Sequence, residues 1–285
     1  MLPKLISIGS FFIPTYGTLV ALGFLAALWI IIRLAKRSGL ASEPITNLAI
    51  YCALAGLAGA KLFMILFDFK MYWHDRGALF SLATLQAAGV YQGGFVVAFI
   101  TAILYTSRQN LPILRTCDIF APGIALGQAI GRVGCLSAGC CWGIKTHLPW
   151  AITFHNPQAA QLTGVPLEIP LHPTQLYESI ADALIFLFLY FQIAKTHAAG
   201  TILGWYLALY SSARFVIEFF RFHEQGLHFG LSYTQWISLA TLVAGIALLS
   251  FPIFRSPQVA ASMGKVSSGT RPQAAPDRPL RPTAR

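Results

Sequence analysis

FFIPTYGTLVALGFLAALWIIIRL, residues Phe11–Leu34, is the stretch that decides the fold class, because its only charged residue is Arg33 near its end. A bilayer core needs about 20 apolar residues in helix, so the segment predicts a membrane-spanning helix. It exceeds the apolar region of a secretory signal and has no small-x-small cleavage site, so it should stay in the membrane. Six further segments share its character: approximately Ile45–Phe67, Gly89–Tyr105, Ile113–Gly134, Gln175–Ala194, Thr201–Phe220 and Tyr233–Phe254. The third is the shortest. The fourth holds Asp118 and Pro122-Gly123, which predict a kink or a break. The expectation is an all-α integral membrane protein of about seven transmembrane helices.

The whole composition agrees. Of 285 residues, 56% are hydrophobic and 11% charged, with a mean hydropathy of +0.63. A soluble domain carries about 25% charged residues, and so few charges cannot cover a water-facing surface of this size. The net charge of +10 shows no basic stripe interleaved with aromatics, so it reads as topology and not as nucleic-acid binding. With the N-terminus in the periplasm, the cytoplasmic side holds Arg33, Lys36, Arg37, Arg108, Arg115 and Lys195, with six more Lys/Arg from Arg255 onward. The opposite side holds Lys4, Lys70, Arg76, Lys145 and Arg221. The positive side faces the cytoplasm, so the N-terminus is expected outside and the C-terminus inside. Residues 1–255 form one membrane domain, with a periplasmic loop at about 135–173. Residues 256–285, rich in Pro, Ser, Ala and Arg, form a disordered basic cytoplasmic tail.

Ionisable groups inside a span cost several kcal/mol unless paired or wetted. The chain keeps Lys61, Asp118, Arg132, Asp182, Arg214 and Glu218 at such depths. Arg214 and Glu218 share a helix face, which Tyr210 and Arg221 extend. Gln175, Glu178 and Asp182 form a second stripe, and Gln128 with Arg132 a third. Any one pair can serve as interhelical glue, with Arg214 neutralised by Glu178 or Glu218. Three stripes near the outer ends of the fourth, fifth and sixth helices can also converge on one wet cavity. Two guanidiniums there suit a phosphate, which they bind bidentately, and phospholipid headgroups are the phosphates at that depth. Gly127-x-x-x-Gly131 and Gly56-x-x-x-Ala60 read as close helix packing. Gly93-Gly94, at a helix start, offers amides to an anion.

Cys52 and Cys117 read as small packing residues. Cys135, Cys140 and Cys141 cluster at the outer mouth in a C-x4-C-C spacing that matches no zinc pattern, and His147, His155 and His172 are scattered. No metal or cofactor is expected. In an oxidising periplasm, Cys135 paired with Cys140 or Cys141 would pin the loop beside Arg132. Unpaired packing thiols and a redox role are the alternatives.

Three blocks resemble the prolipoprotein diacylglyceryl transferase family. Gly131-Arg132-Val133-Gly134-Cys135 through Trp142-Gly143 is similar to its signature. His172-Pro173-Thr174-Gln175-Leu176-Tyr177-Glu178 is similar to its His-Pro-Ser/Thr-Gln-Leu-Tyr-Glu run. Arg214-Phe215-Val216-Ile217-Glu218-Phe219-Phe220-Arg221 resembles its Arg-Phe-x-x-Glu-x-x-Arg. Tyr16-Gly17 and Gln92-Gly93-Gly94 also match in position. The resemblance implies a multi-pass enzyme of the bacterial inner membrane. It would move the diacylglyceryl group of phosphatidylglycerol to the lipobox cysteine thiol of preprolipoproteins, releasing glycerol phosphate, with no cofactor. It implies catalytic roles for Arg132, Arg214, Glu218 and Tyr16. It implies phosphatidylglycerol contacts from Arg132, Gln92, Gly93, Gly94, His172, Gln175, Tyr177, Glu178, Tyr210 and Arg221. The chain departs from the pattern at Gln92, where the family has a His proposed as base, and at Cys135, Ala138 and Cys140, which replace two Asn and a Glu. His172, Glu178, Glu218 or the lipid phosphate remain as proton acceptors.

Two other classes compete. A membrane thiol–disulfide oxidoreductase would use the cysteine cluster, but there is no C-x-x-C pair and the Arg and Glu stripes would have no role. An anion transporter would use the intramembrane arginines, but inverted repeats are not evident in the sequence. A relative that uses phospholipid with a different acceptor is a third alternative.

Overall fold

The computed structural model of the chain describes residues 4–8, 11–77, 81, 84, 89–195, 197–223 and 226–250. The predicted basic tail, 256–285, and the end of the last predicted span lie outside the described residues.

The chain opens with an antiparallel hairpin, β1 (Lys4–Ile8) and β2 (Phe11–Pro14), and then enters α1 (Thr15–Arg37). The first helix therefore starts four residues later than its apolar run. Pro14, with ψ 132°, is extended and has no N–H to donate, and the residue before a proline is pushed away from helix. Six more long helices follow: α2 (Ser42–Phe67), α4 (Tyr91–Arg108), α5 (Ile113–Ala138), α7 (Thr174–Gln192), α8 (Thr201–Ile217) and α9 (Tyr233–Ser250). The shorter α3 (Phe69–His74) and α6 (Pro157–Thr163) sit in connections. Five helices, α1, α2, α5, α7 and α9, are long and apolar enough to cross a membrane. At 17 residues α8 falls outside that group, and α4, as long as α9, falls outside it by composition.

The central helix is α5, packed against α1, α7 and α8, while α2 pairs with α4 and α8 with α9. The expected break at Pro122-Gly123 is not present: α5 runs unbroken to Ala138 with Pro122 buried inside it. Gly139, at φ +78°, then ends the helix, its amide donating to the Cys135 carbonyl at 2.9 Å. Gly127 does pack closely. A Cβ on the facing Gly23 of α1 would stand 2.9 Å from the Gly127 carbonyl oxygen, whereas Gly131 faces open space. The predicted loop at 135–173 is partly ordered, since α6 and the short pair β3 (Ile152–Thr153) and β4 (Pro170–Leu171) lie within it.

Candidate active site

Glu178, in the second turn of α7, is the hub of the site. Its carboxylate pairs with Arg132 Nε from α5, with Arg214 at 2.6 Å from α8, and with Arg221 at 3.2 Å from the chain just beyond. Arg214 has a second anchor in Glu218, at 3.0 Å. That carboxylate lies in the single 3-10 turn (Glu218–Phe220) that ends α8. Glu178 is 5% exposed and Glu218 3%. Three guanidiniums meet these two carboxylates in a desolvated place. Desolvated charges hold together only when paired and well hydrogen-bonded, and the same excess of donors suits an incoming anion. Asp182, one turn further along α7, is also buried.

The cluster is positioned by three chain segments that lock together outside the helices. The Gly143 amide donates to the His172 carbonyl at 3.0 Å, and the His172 amide to Ile144 at 3.0 Å. The Ile144 amide reaches the Phe220 carbonyl at 2.9 Å, and the Phe222 amide the Trp142 carbonyl at 3.2 Å. The strand-like crossing needs Gly143. A Cβ there would stand 2.5 Å from the Phe220 carbonyl oxygen and 2.6 Å from His172 Cβ. The start of α7 closes the frame from behind. Buried Thr174 donates its hydroxyl to the Cys141 carbonyl and Gln175 its Nε2 to the Cys140 carbonyl, both at 2.7 Å. All three sequence blocks thus meet within a few residues of Glu178.

His172 is buried, with Nδ1 3.2 Å from the Tyr177 hydroxyl and its ring against Phe220. The Tyr177 hydroxyl also accepts from Trp150 Nε1 at 2.8 Å, which ties the loop to α7. Sequence reasoning passed over Trp150, and a lone aromatic in a loop gives no signal for such a role. Tyr210 stacks on Tyr206, whose hydroxyl donates to Gln128 at 2.9 Å. Tyr16 stands at the start of α1, and a Cβ added at Gly134 would meet its ring at 3.3 Å.

Gln92 is exposed at the start of α4, and Gly93-Gly94 sit in the seam with α2. A Cβ on Gly93 would run into Phe63, and one on Gly94 would stand 2.8 Å from the Gly56 carbonyl oxygen. The Gly94 amide donates to the Val90 carbonyl at 3.2 Å, so it is committed within its helix and not free to receive an anion. Asp118 accepts from the Gly200 and Leu203 amides at 2.7 and 2.8 Å, capping the start of α8 at the opposite end of α5 from Arg132. Lys61 donates to the Thr84 carbonyl at 2.6 Å.

The sulfurs of Cys135, Cys140 and Cys141 lie within 4.8 Å of one another, and all three are free thiols. The Cys141 thiol is held below the ordinary thiol range, first by hydrogen bonds with Cys135 and Cys140 and then by Arg221 and Arg132, against its burial. Two cavities flank the cluster. One, of about 780 Å³, is almost wholly apolar and lies between α7 and α8, lined by Trp150, Tyr177, Ala181, Ala213, Val216 and Phe220. The other, of about 790 Å³, has Cys141, Gly143, Lys145, Leu171, Arg221 and His223 on its walls.

An apolar helix bundle with a buried guanidinium–carboxylate cluster between an apolar cavity and a polar-edged one defines a multi-pass membrane protein with a site inside its own bundle. The chain belongs to the prolipoprotein diacylglyceryl transferase family, whose model matches residues 3–251. It is 34% identical to the phosphatidylglycerol–prolipoprotein diacylglyceryl transferase of Clostridium tetani over 90% of this chain and 99% of that one. It is 33% identical to the one of Finegoldia magna, over 82% of this chain and 88% of the relative. The protein of that name from Erwinia tasmaniensis is 29% identical over 90% and 94% of the two chains. The chain is therefore a membrane transferase.

Proposed function

We propose that this protein moves the diacylglyceryl group of phosphatidylglycerol onto the lipobox cysteine of preprolipoproteins, releasing glycerol phosphate. The observation that carries this reading is the convergence of Arg132, Arg214 and Arg221 on Glu178, in a chain of this family. Arg132 meets Glu178 through Nε, which leaves the two terminal nitrogens of its fork for a phosphate. Arg214, gripped by two carboxylates, is held in place to stabilise charge growing on the leaving phosphate. Donors fixed before the reaction are worth most where charge develops out of water. Glu218 orients Arg214. Tyr210 and Tyr16 edge the headgroup, while His172, Gln175 and Tyr177 hold the loop over it. The apolar cavity between α7 and α8 suits acyl chains, and the one beside Arg221 suits the acceptor peptide.

The same reading places seven spans in the bacterial inner membrane, with the N-terminus periplasmic, the C-terminus and the 256–285 tail cytoplasmic, and residues 1–255 as one domain. The Lys/Arg distribution supports it. The cluster then lies on the periplasmic side, where Arg132 and Glu178 sit near helix ends. A thiol–disulfide oxidoreductase gives these arginines nothing to do. The test is the purified protein in detergent with phosphatidylglycerol and a synthetic lipobox peptide. A gain of one diacylglyceryl unit in peptide mass, lost in Arg132→Ala, is expected. No gain from folded protein, with a family enzyme active in parallel, overturns the assignment.

A further inference from the structure

The proposed reaction leaves one demand unmet. An S-alkylation needs the acceptor as thiolate, and a free thiol has a pKa of about 8.5. Two of the buried carboxylates at the site are occupied, Glu178 by three guanidiniums and Glu218 by Arg214, and the third, Asp182, lies one turn further along α7. His172 is bound to Tyr177. Gln92 has an amide, which takes no proton at neutral pH.

One group of residues has the geometry to meet this demand. Cys135, Cys140 and Cys141 bring their sulfurs within 4.8 Å of one another, Cys135 buried and the other two half-buried. Sulfurs about 2.3 Å from a tetrahedral zinc stand about 3.8 Å apart, within reach of a small side-chain rotation. The backbone that carries them is fixed at every point. Cys135 is in the last turn of α5, and the Cys140 amide donates to its carbonyl at 3.1 Å. The Cys140 and Cys141 carbonyls are gripped by buried Gln175 and Thr174. Cys141 itself is held at φ +60°, a left-handed conformation that costs a non-glycine residue about 1–2 kcal/mol. Among the described residues the group contains no fourth protein ligand. An exit exists as well, since Cys141 lines the cavity that also holds Arg221.

We propose that Cys135, Cys140 and Cys141 bind one zinc ion as a three-thiolate site whose fourth position takes the acceptor cysteine thiol. Catalytic zinc sites have three protein ligands and one open position, and a thiol that coordinates such an ion is deprotonated outright. Thiolates prefer soft cations, zinc and Cu(I) foremost. Zinc is favoured because its tetrahedral habit leaves a place for a further ligand. Three thiolates on a divalent ion carry one net negative charge, which the arginine cluster next to it offsets. Cys135 lies one helical turn, about 4.5 Å of rise, beyond Arg132. A thiolate held by zinc is thus adjacent to the guanidinium assigned to the phosphodiester.

The step balances without a redox partner. The acceptor thiol gives its proton to water as its sulfur binds. That sulfur attacks the glyceryl carbon bearing the phosphodiester, a C–S bond forms, and the C–O bond breaks with its electron pair on the phosphate oxygen. Zinc keeps its oxidation state. The metal site stands on the geometry alone, while the role of its fourth position rests on the transferase reading.

The experiment uses the full chain, reduced and in detergent. Zinc content is measured after dialysis, and Co(II) is then substituted as a spectroscopic probe. About one zinc per chain is expected, falling to background in Cys135→Ser, Cys140→Ser and Cys141→Ser and unchanged in Cys52→Ser. The Co(II) protein should show thiolate charge-transfer bands that intensify with a lipobox peptide and not with its Cys→Ser analogue. The Co(II) readout in wild-type protein needs no variant to fold. Zinc at background in reduced wild-type protein overturns the site, as does Cu(I) binding that excludes zinc, or a Cys135 disulfide that forms and resists reduction. Bands indifferent to the peptide thiol overturn the role of the fourth position, as does full transfer by chelator-stripped protein. Peptide-sensitive bands without any diacylglyceryl transfer leave the metal site standing and remove the transferase reading instead.

Discussion

Glu178→Gln isolates what the hub contributes, because it changes one oxygen for an NH2 group and keeps the volume. In the native site Oε1 accepts from Arg214 and Arg221, and the other oxygen meets Arg132 Nε. The amide oxygen can keep facing Arg214 and Arg221, but its nitrogen then faces a donor with a donor. Among the described residues Arg132 has no second carboxylate within ion-pair distance, whereas Arg214 keeps Glu218 at 3.0 Å. The loss should therefore fall on Arg132. A hydrogen bond to a charged group is worth about 1.5–3 kcal/mol, and removing one partner of a buried pair costs about 3–5 kcal/mol in stability. For transfer, misplacing one preorganised donor costs on the order of 100-fold. Peptide mass gain gives the rate, and thermal unfolding in detergent gives the stability. In stability, adding Arg132→Ala to Glu178→Gln should then cost little more, since both changes remove one interaction. Transfer within about threefold of wild type, with an unchanged unfolding midpoint, would refute the hub. So would full additivity of the two substitutions in stability.

Three further outcomes follow from particular contacts. Asp118→Ala leaves the Gly200 and Leu203 amides without their acceptor, at about 1–3 kcal/mol each. The unfolding midpoint should drop while the rate per folded molecule holds, so a rate loss without destabilisation would argue against a purely capping role. Gly143→Ala forces a Cβ to 2.5 Å from the Phe220 carbonyl oxygen, an overpacking cost of about 1–3 kcal/mol or more. It should sharply reduce transfer, whereas Gly131→Ala, with nothing within 4 Å of its Cβ, should leave the unfolding midpoint in place. Equal unfolding midpoints for the two variants would contradict this contrast. Trp150→Phe deletes the 2.8 Å bond to the Tyr177 hydroxyl, which should speed proteolysis in the 144–170 loop, read by mass spectrometry of limited digests.

Most of the helical plan was legible because membrane physics writes it in long apolar runs. Each of the seven predicted segments overlaps a helix, and five of those helices are long and apolar enough to span. The errors sit where a local rule competes with context. The run from Phe11 looks helical by composition, yet Pro14 delays the helix to Thr15. Pro122 argues for a kink or a break, and of the two the break is absent, since α5 stays helical through it. Asp118 stands out in the sequence only as a charge within a span. Its carboxylate instead satisfies amides of another helix, a pairing with no signature in spacing along α5.

The site shows the same division more sharply. Spacing put Arg214 and Glu218 on one face and Glu178 on another helix, and the cost of an unpaired charge in a span made either carboxylate a partner for Arg214. It had no means of ranking Glu218 below Glu178 as hub, because that depends on where α8 tightens into its 3-10 turn and swings Arg221 back. The cysteines are the extreme case. C-x4-C-C reads as no metal pattern while the chain is imagined straight. The left-handed turn at Gly139, the strained Cys141 and the grip of Thr174 and Gln175 fold that spacing into a triangle of sulfurs. Two of those four devices lie more than 30 residues downstream. A ligand set assembled this way is specified by tertiary hydrogen bonds. It becomes visible only when the loop, the start of α7 and the end of α5 are seen together.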